Sequence, residues 1–287
     1  MSFLERLVRE RRADVAAARA WHPFEQVKHA ALRAAMGRGA PRFVDALRER
    51  RASGRLAVIA EGKRTSPTLG RLGEIQDPAA LAQRYQEAGA AAISVLVEPR
   101  HWGGSIADLR AVIPAVRRQV FHRDDQLPDV TELPVLAKDV IVDEYQIAEI
   151  GAAGAHAVLL IAEALDDATL ARCVELTLEL GMDPLVEAHE PEAFARAVRS
   201  GAAAVGVNAR DLREPARLDH RRVHDLAAEV FTDQLLVAES GITSVEDARA
   251  LPPRVDAVLV GTALVRASDP APLIRALAEV RPARSLA

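Results

Sequence analysis

Two of the three lysines in this chain, Lys63 and Lys138, close short apolar runs, and three glutamates, Glu61, Glu187 and Glu239, close or directly follow others. A proton-exchanging amine and a carboxylate in one pocket are the parts of general acid–base or Schiff-base chemistry. The lysines stand out because 34 of the 37 basic residues are arginine. Guanidinium stays charged at any working pH and cannot take over proton transfer. Lys28, in an amphipathic stretch, reads as a solvated charge. Asn208 is the only asparagine and also ends an apolar run. Two glycine turns, Ser240-Gly241-Ile242-Thr243 and Gly261-Thr262-Ala263, offer backbone N–H groups to a phosphate dianion, although either alone serves equally well as a tight turn.

These residues need elements to aim them. Eight short apolar runs lie at 56–60, 91–97, 133–137, 155–161, 183–187, 203–208, 234–239 and 255–261. Their spacing of roughly 30 residues is that of a βα unit. Runs apolar on both alternating faces fit strands buried on both sides of a parallel sheet. The amphipathic segments between them, such as 77–89, 142–154 and 190–201, end in glycine, as helices do. Eight strands alternating with helices predict an α/β fold, a (β/α)8 TIM barrel in a single domain. A doubly wound sheet fits less well, with no G-x-G-x-x-G after the first strand. Residues 1–55 carry helical periodicity and form an N-terminal extension, and 121–132 reads as a solvated loop at the bottom of the barrel.

A barrel predicts where function sits, at the C-terminal ends of its strands. Those positions hold Glu61 and Lys63, Glu98, Lys138 and Asp139, Glu187, Asn208 with Arg210 and Asp211, Glu239-Ser240-Gly241, and Gly261-Thr262. The opposite ends carry mostly Pro, Ala and Gly. Any one carboxylate could be a structural ion pair, but a complete ring is hard to explain that way.

Composition narrows the class. With 37 basic against 41 acidic residues, net −4, and no basic tract, the chain lacks the footprint of a nucleic-acid binder. No apolar run approaches membrane-spanning length, and the charged start MSFLERLVRERR predicts a cytoplasmic protein. The single cysteine, Cys173, excludes an internal disulfide and reads as packing. The eight histidines show no metal-ligand spacing, and no metal is expected. His101 and His189 border the upper rim without an expected catalytic role.

The segment Glu61-Gly62-Lys63-Arg64-Thr65-Ser66-Pro67 resembles the E-x-K-R-x-S-P signature of the indole-3-glycerol phosphate synthase family. The resemblance continues through SVLVEPRHWGGS, PVLAKDVIVDEYQI, LVEAH, GVNARDL, VAESGI and LVGTALV, in order and spacing, from Leu56 to the end. It implies ring closure of 1-(2-carboxyphenylamino)-1-deoxyribulose 5-phosphate with loss of CO2 and water, no cofactor, and a helical extension over the barrel mouth. By the same resemblance Lys138 is the acid and Lys63 assists near the substrate carboxylate. Glu187 is the base, with Glu61 and Asn208 holding the network. Ser66, Arg210, Glu239, Ser240, Gly241, Gly261 and Thr262 fall at substrate- and phosphate-binding positions, and Trp102, Leu159 and Leu212 line an apolar slot for the phenyl ring. Departures from the family pattern are Gly62 for a bulkier apolar residue, Leu69 for a frequent Lys, Val97 for a hydroxyl residue and Val140 for an aromatic. Two other readings stay open: another sugar-phosphate barrel enzyme of amino-acid synthesis, and a barrel that binds a phosphorylated ligand, or a pathway enzyme, without turnover.

Overall fold

The computed structural model describes residues 1–37, 42–120 and 129–281. Eight parallel strands close on one another: β1 (Ala57–Gly62), β2 (Ala92–Leu96), β3 (Val135–Lys138), β4 (Ala157–Ile161), β5 (Asp183–Ala188), β6 (Ala204–Asn208), β7 (Leu235–Glu239) and β8 (Ala257–Val260). Each coincides with one of the eight apolar runs, and β1 pairs with both β2 and β8, so the sheet has no edge. Strands β2 and β4 to β8 are buried throughout, as expected where side chains fill the barrel on one face and meet helices on the other. Tyr85, Tyr145 and Phe194 are among the largest fully buried side chains, and each comes from a surrounding helix.

Local sequence sets the helix starts. Asp77, Ser105, Asp143, Asp166 and Ser244 each accept a backbone N–H of the first turn, which satisfies one of the donors a helix start leaves open. Cys173 lies buried on the helix Asp167–Glu179, and burial pushes its thiol up to about 12, so it is inert packing.

The N-terminal extension contains α1 (Phe3–Trp21), α2 (Phe24–Met36) and α3 (Phe43–Ala52). Only α1 meets the mouth. It is fastened there by Arg11 to Asp139 at 2.6 Å, by Glu10 to His101 at 2.7 Å and by Asp14 to Arg100. In between, α2 runs along the helix Glu144–Ala152 on the outside of the barrel. By contrast α3 covers the opposite end: Arg42 and the Val44 N–H bind Asp183 at the start of β5, and Arg51 reaches Asp256 just before β8. Phe43 and Leu47 of α3 are fully buried.

The expected loop at 121–132 needs correction. Arg117–Val120 and Asp129–Glu132 pair as antiparallel strands, so at least its C-terminal end is ordered by backbone pairing; residues 121–128 lie outside the described residues. Among the described residues no helix is long and apolar enough to cross a membrane.

Candidate active site

Strand register brings the functional side chains to one level. Leu96 is beside Lys138, Ile161 beside Glu187, Glu187 beside Gly206, and Asn208 beside Glu239. The C-terminal ends of the strands form the floor of a cavity of about 450 Å³, large enough for a drug-sized ligand. Of the expected site residues, Glu61, Lys63, Ser66, Trp102, Lys138, Leu159, Glu187, Asn208, Arg210, Leu212, Ser240, Gly241, Gly261 and Thr262 all line it.

Glu239 does not. It lies fully buried beneath the floor, where one oxygen accepts a 2.7 Å hydrogen bond from Lys138 Nζ and the other has no donor among the described residues. Expected at the sugar-phosphate end, it meets Lys138 below the cavity wall. Lys138 Nζ also stands 3.7 Å from Glu61 and 3.8 Å from Glu187, and Lys63 Nζ is 2.9 Å from the other Glu61 oxygen. Two ammonium groups therefore serve three buried carboxylates.

The electrostatics follow from that count. Burial alone would raise Glu61, but Lys63 and Lys138 outweigh it and hold the carboxyl below its ordinary value. Burial also opposes the charge on Lys138, yet Glu239, Glu187 and Glu61 overcome it and hold the ammonium well above the usual lysine range. Glu187 goes the other way. Burial and the neighbouring Glu239 charge push it well above the carboxylate range, with Lys138 only partly compensating. Asn208 Nδ2 sits 3.4 Å from Glu187, while its Oδ1 accepts from Ser240 Oγ at 2.8 Å and the Arg210 N–H at 3.0 Å.

Two glycines make this floor possible: Gly206, which motif reasoning missed, and Gly261, which it marked only as part of a phosphate turn. A Cβ on Gly206 would stand 2.3 Å from Glu239 Oε1, and one on Gly261 would stand 2.3 Å from Glu61 Oε1. An isolated glycine inside a strand, as in Val205-Gly206-Val207, is the sequence signal for such close approach. Glu98 is likewise more than a rim charge. It is buried, and it accepts the N–H groups of Arg100, His101 and Trp102, which fixes the loop that presents the Trp102 ring. Arg64 clamps the loop after β1 through a two-pronged contact with Asp108.

The glycine turns are partly committed. Ser240 adopts φ 66°, a left-handed backbone unusual for a residue with a side chain, and Gly241 follows at φ 81°. The Thr243 N–H and hydroxyl are taken by Asp247. Among the described residues the N–H groups of Gly241, Ile242 and Thr262 donate to no protein acceptor. Arg210 is half-buried, donates to the Pro215 carbonyl and, among the described residues, has no carboxylate within ion-pair distance; burial holds it below the ordinary arginine range. His189, Glu190 and Asp211 come within 4.8 Å of one another beside the site, but Arg222 bonds Asp211 at 3.2 Å, so the cluster is a salt-bridge network. Of the departures from the family pattern, Leu69 and Val140 line the cavity. Gly62 borders a water-sized hollow behind the Lys63 loop, and Val97 is buried.

The family model described as indole-3-glycerol phosphate synthase matches residues 4–277. The chain is 47% identical to indole-3-glycerol phosphate synthase of Micrococcus luteus over 222 residues, 77% of either protein. It is 40% identical to that of Streptomyces griseus subsp. griseus over 271 residues, 94% of this chain and 92% of the relative. Among solved structures, a tryptophan synthase alpha chain from Legionella pneumophila aligns with TM-score 0.58 at 16% identity, covering 84% of this chain and 97% of that one. A 3-hexulose-6-phosphate synthase aligns with TM-score 0.56 at 21% identity, covering 77% and 98%. At those identities the likeness is one of barrel fold. The sequence matches span extension and barrel alike, and the chain belongs to the indole-3-glycerol phosphate synthase family.

Proposed function

We propose that this chain converts 1-(2-carboxyphenylamino)-1-deoxyribulose 5-phosphate into indole-3-glycerol phosphate, CO2 and water, in the cytoplasm and without a cofactor. The observation that carries the reading is Lys138, an ammonium among three buried carboxylates on the floor of a cavity with one apolar flank. The phenyl ring lies in the slot formed by Trp102, Leu159 and Leu212. The substrate carboxylate takes Lys63 and Arg210 as partners, the latter being a half-buried cation with no carboxylate within ion-pair distance among the described residues. The phosphate takes the free N–H groups of Gly241, Ile242 and Thr262. Such fixed donors recognise a dianion without rearrangement.

Ring closure joins the aromatic carbon bearing the carboxylate to the ribulose carbonyl carbon. Lys138 gives a proton to the carbonyl oxygen, which becomes a hydroxyl. Breaking the bond to the carboxylate releases CO2, and its electron pair restores the aromatic ring. The hydroxyl then leaves as water, taking one proton from an acid while Glu187 removes another from the ring being formed. Lys63 stands within reach of Glu61 and can return protons to the site. Asn208 and Glu61 hold the base and the amines in place.

The test is direct. Purified protein mixed with the carboxyphenylamino-deoxyribulose phosphate should produce indole fluorescence over many turnovers in the presence of a chelator. Tight binding with no fluorescence would replace the reading by a ligand-binding barrel, and neither binding nor turnover would remove the substrate assignment.

A further inference from the structure

His220 has no part in the ring closure, yet it lines the cavity, at the end of the loop that follows β6 and just before the helix Arg221–Leu226. That loop folds back on itself. Arg210 and Leu218 form an antiparallel bridge, and the Asp219 N–H donates to the Ala209 carbonyl at 2.8 Å. The return carries His220 across to the turn after β7. A Cβ added to Gly241 would meet Cε1 of His220 at 2.4 Å, Nδ1 at 2.9 Å and Nε2 at 3.4 Å, so the nitrogen-bearing edge of the ring is turned toward this glycine. The glycine Cα offers that edge no acceptor, and among the described residues neither ring nitrogen has a hydrogen-bond partner. A neutral imidazole carries one N–H and a protonated one two, so the edge holds a donor in either state.

The charges at this end of the cavity point the same way. Asp247 lines it, and the hydroxyl and N–H of Thr243 hold its carboxyl below the ordinary value, so it stays charged. A phosphate dianion on the free N–H groups of Gly241 and Ile242 has this carboxylate as a neighbour, and a cation nearby offsets the repulsion. The lysine and arginine charges in the cavity lining are Lys63, Lys138, Arg210 and Arg266. The two lysines are held by Glu61 at 2.9 Å and Glu239 at 2.7 Å, and Arg210 is given above to the substrate carboxylate. Arg266 is left. It ends the short helix Thr262–Arg266, is exposed at the rim and has no ion pair among the described residues.

We propose that His220 and Arg266 are specificity-determining residues for the phosphate group of the substrate. The imidazole adds an N–H donor beside those of Gly241 and Ile242, and the guanidinium offsets the Asp247 carboxylate. Because Arg210 and His220 ride on one folded-back loop, that loop also gauges the distance between the substrate carboxylate and its phosphate. This inference rests on the proposed place of the phosphate at the Gly241 turn, and its test separates the two.

The experiment titrates inorganic phosphate into the full-length protein labelled with 15N, with the ring resonances of His220 assigned by their loss in His220→Leu. Phosphate should move the amide resonances of Gly241 and Ile242 and the ring nitrogens of His220 along one binding curve. His220→Leu should weaken phosphate by about tenfold, the cost of one donor to a charged group, whereas His220→Gln keeps an N–H and should lose no more than about threefold. Arg266→Gln should weaken it by about threefold at low salt and by less at high salt, with Arg266→Lys near the parent. Both side chains are exposed, so the variants should fold like the parent. Where turnover is seen, His220→Leu raises KM more than it lowers kcat. Shifted amides with an unmoved ring, or parental affinity in His220→Leu, overturn the proposal for His220 and leave the phosphate turn standing. Parental affinity in Arg266→Gln at low salt overturns it for Arg266. Unmoved amides of Gly241 and Ile242 remove the phosphate placement and the proposal with it. The expected losses of affinity in a parent protein without turnover would strike the reaction and retain both residues at the phosphate.

Discussion

Replacing Gly206 by alanine tests whether the buried glutamate beneath the floor matters to the reaction. The added Cβ would lie 2.3 Å from Glu239 Oε1 and 3.2 Å from Glu187 Cβ. Ordinary contacts begin near 3.5 Å, so Glu239 must retreat by about 1 Å. It has no exposed surface to retreat into. A shift of that size stretches the 2.7 Å bond to Lys138 beyond hydrogen-bond length. Overpacking of this kind costs about 1–3 kcal/mol of stability, and a 1 Å misplacement of a reacting group costs roughly a hundredfold in rate, about 2.7 kcal/mol of barrier. Initial rates of indole fluorescence at saturating substrate give kcat, and urea unfolding gives stability. Gly73→Ala is the control, because its Cβ would meet only Val265 Cγ1 at an ordinary 3.6 Å. Adding Glu239→Asp to Gly206→Ala shortens the crowded side chain and should recover stability without recovering rate. A Gly206→Ala protein with parental stability and kcat within about threefold would show that Glu239 does not hold Lys138 for catalysis.

Lys138→Met should abolish turnover while inorganic phosphate affinity stays within about tenfold, because phosphate is met by loop N–H groups rather than by this amine. It should also lose about 3–5 kcal/mol in urea unfolding, since three buried carboxylates lose a shared cation; parental turnover would remove Lys138 as the acid. Arg210→Gln should raise KM by about tenfold or more with a smaller change in kcat and little change in stability, because no protein carboxylate depends on it; an unchanged KM refutes its role at the substrate carboxylate. The raised Glu187 must lose its proton before it can act, so kcat/KM should climb through an acid limb lying above the ordinary carboxylate range. Stability carries the opposite signature at Glu61: its lowered carboxyl contributes stability above the ordinary value of 4.5 that is lost as pH falls through the lowered one, and Glu61→Gln should flatten that acid-side loss.

Strands and rim were legible in the sequence because a barrel strand is apolar on both faces, so each run stops where the polar site begins. That is why Glu61, Lys138, Glu187 and Asn208 could be placed on one rim before any geometry. The depth of Glu239 was not legible. Its position follows Val237-Ala238 like any other strand end, and only the register beside Asn208, with Gly206 leaving space, sends it under the floor. The destination of α3 was equally hidden, since a helical pattern does not say which end of a barrel it covers. Asp183 and Asp256, at the starts of β5 and β8, are the partners that draw its arginines to the bottom. The pairing of 117–120 with 129–132 escaped notice because charged residues interrupt the alternation on which strand reading depends.

The same crowding explains how so firmly held an ammonium can serve as an acid. Lys138 is a poor proton donor while three carboxylates face it charged, because each would be left repelling the others. Glu187 is the weak member of that set: burial and Glu239 already favour its protonated form. In the proposed dehydration step, when Glu187 takes a proton from the substrate, the field holding Lys138 loses one of its negative neighbours, and giving a proton to the leaving hydroxyl becomes less costly. Base and acid are thus coupled through Glu239 rather than independently tuned. The limbs of a pH–rate profile then belong to Glu187 and Lys138 as a unit. Substitution at either moves both limbs, whereas substitution at Arg210, outside the pair, moves neither.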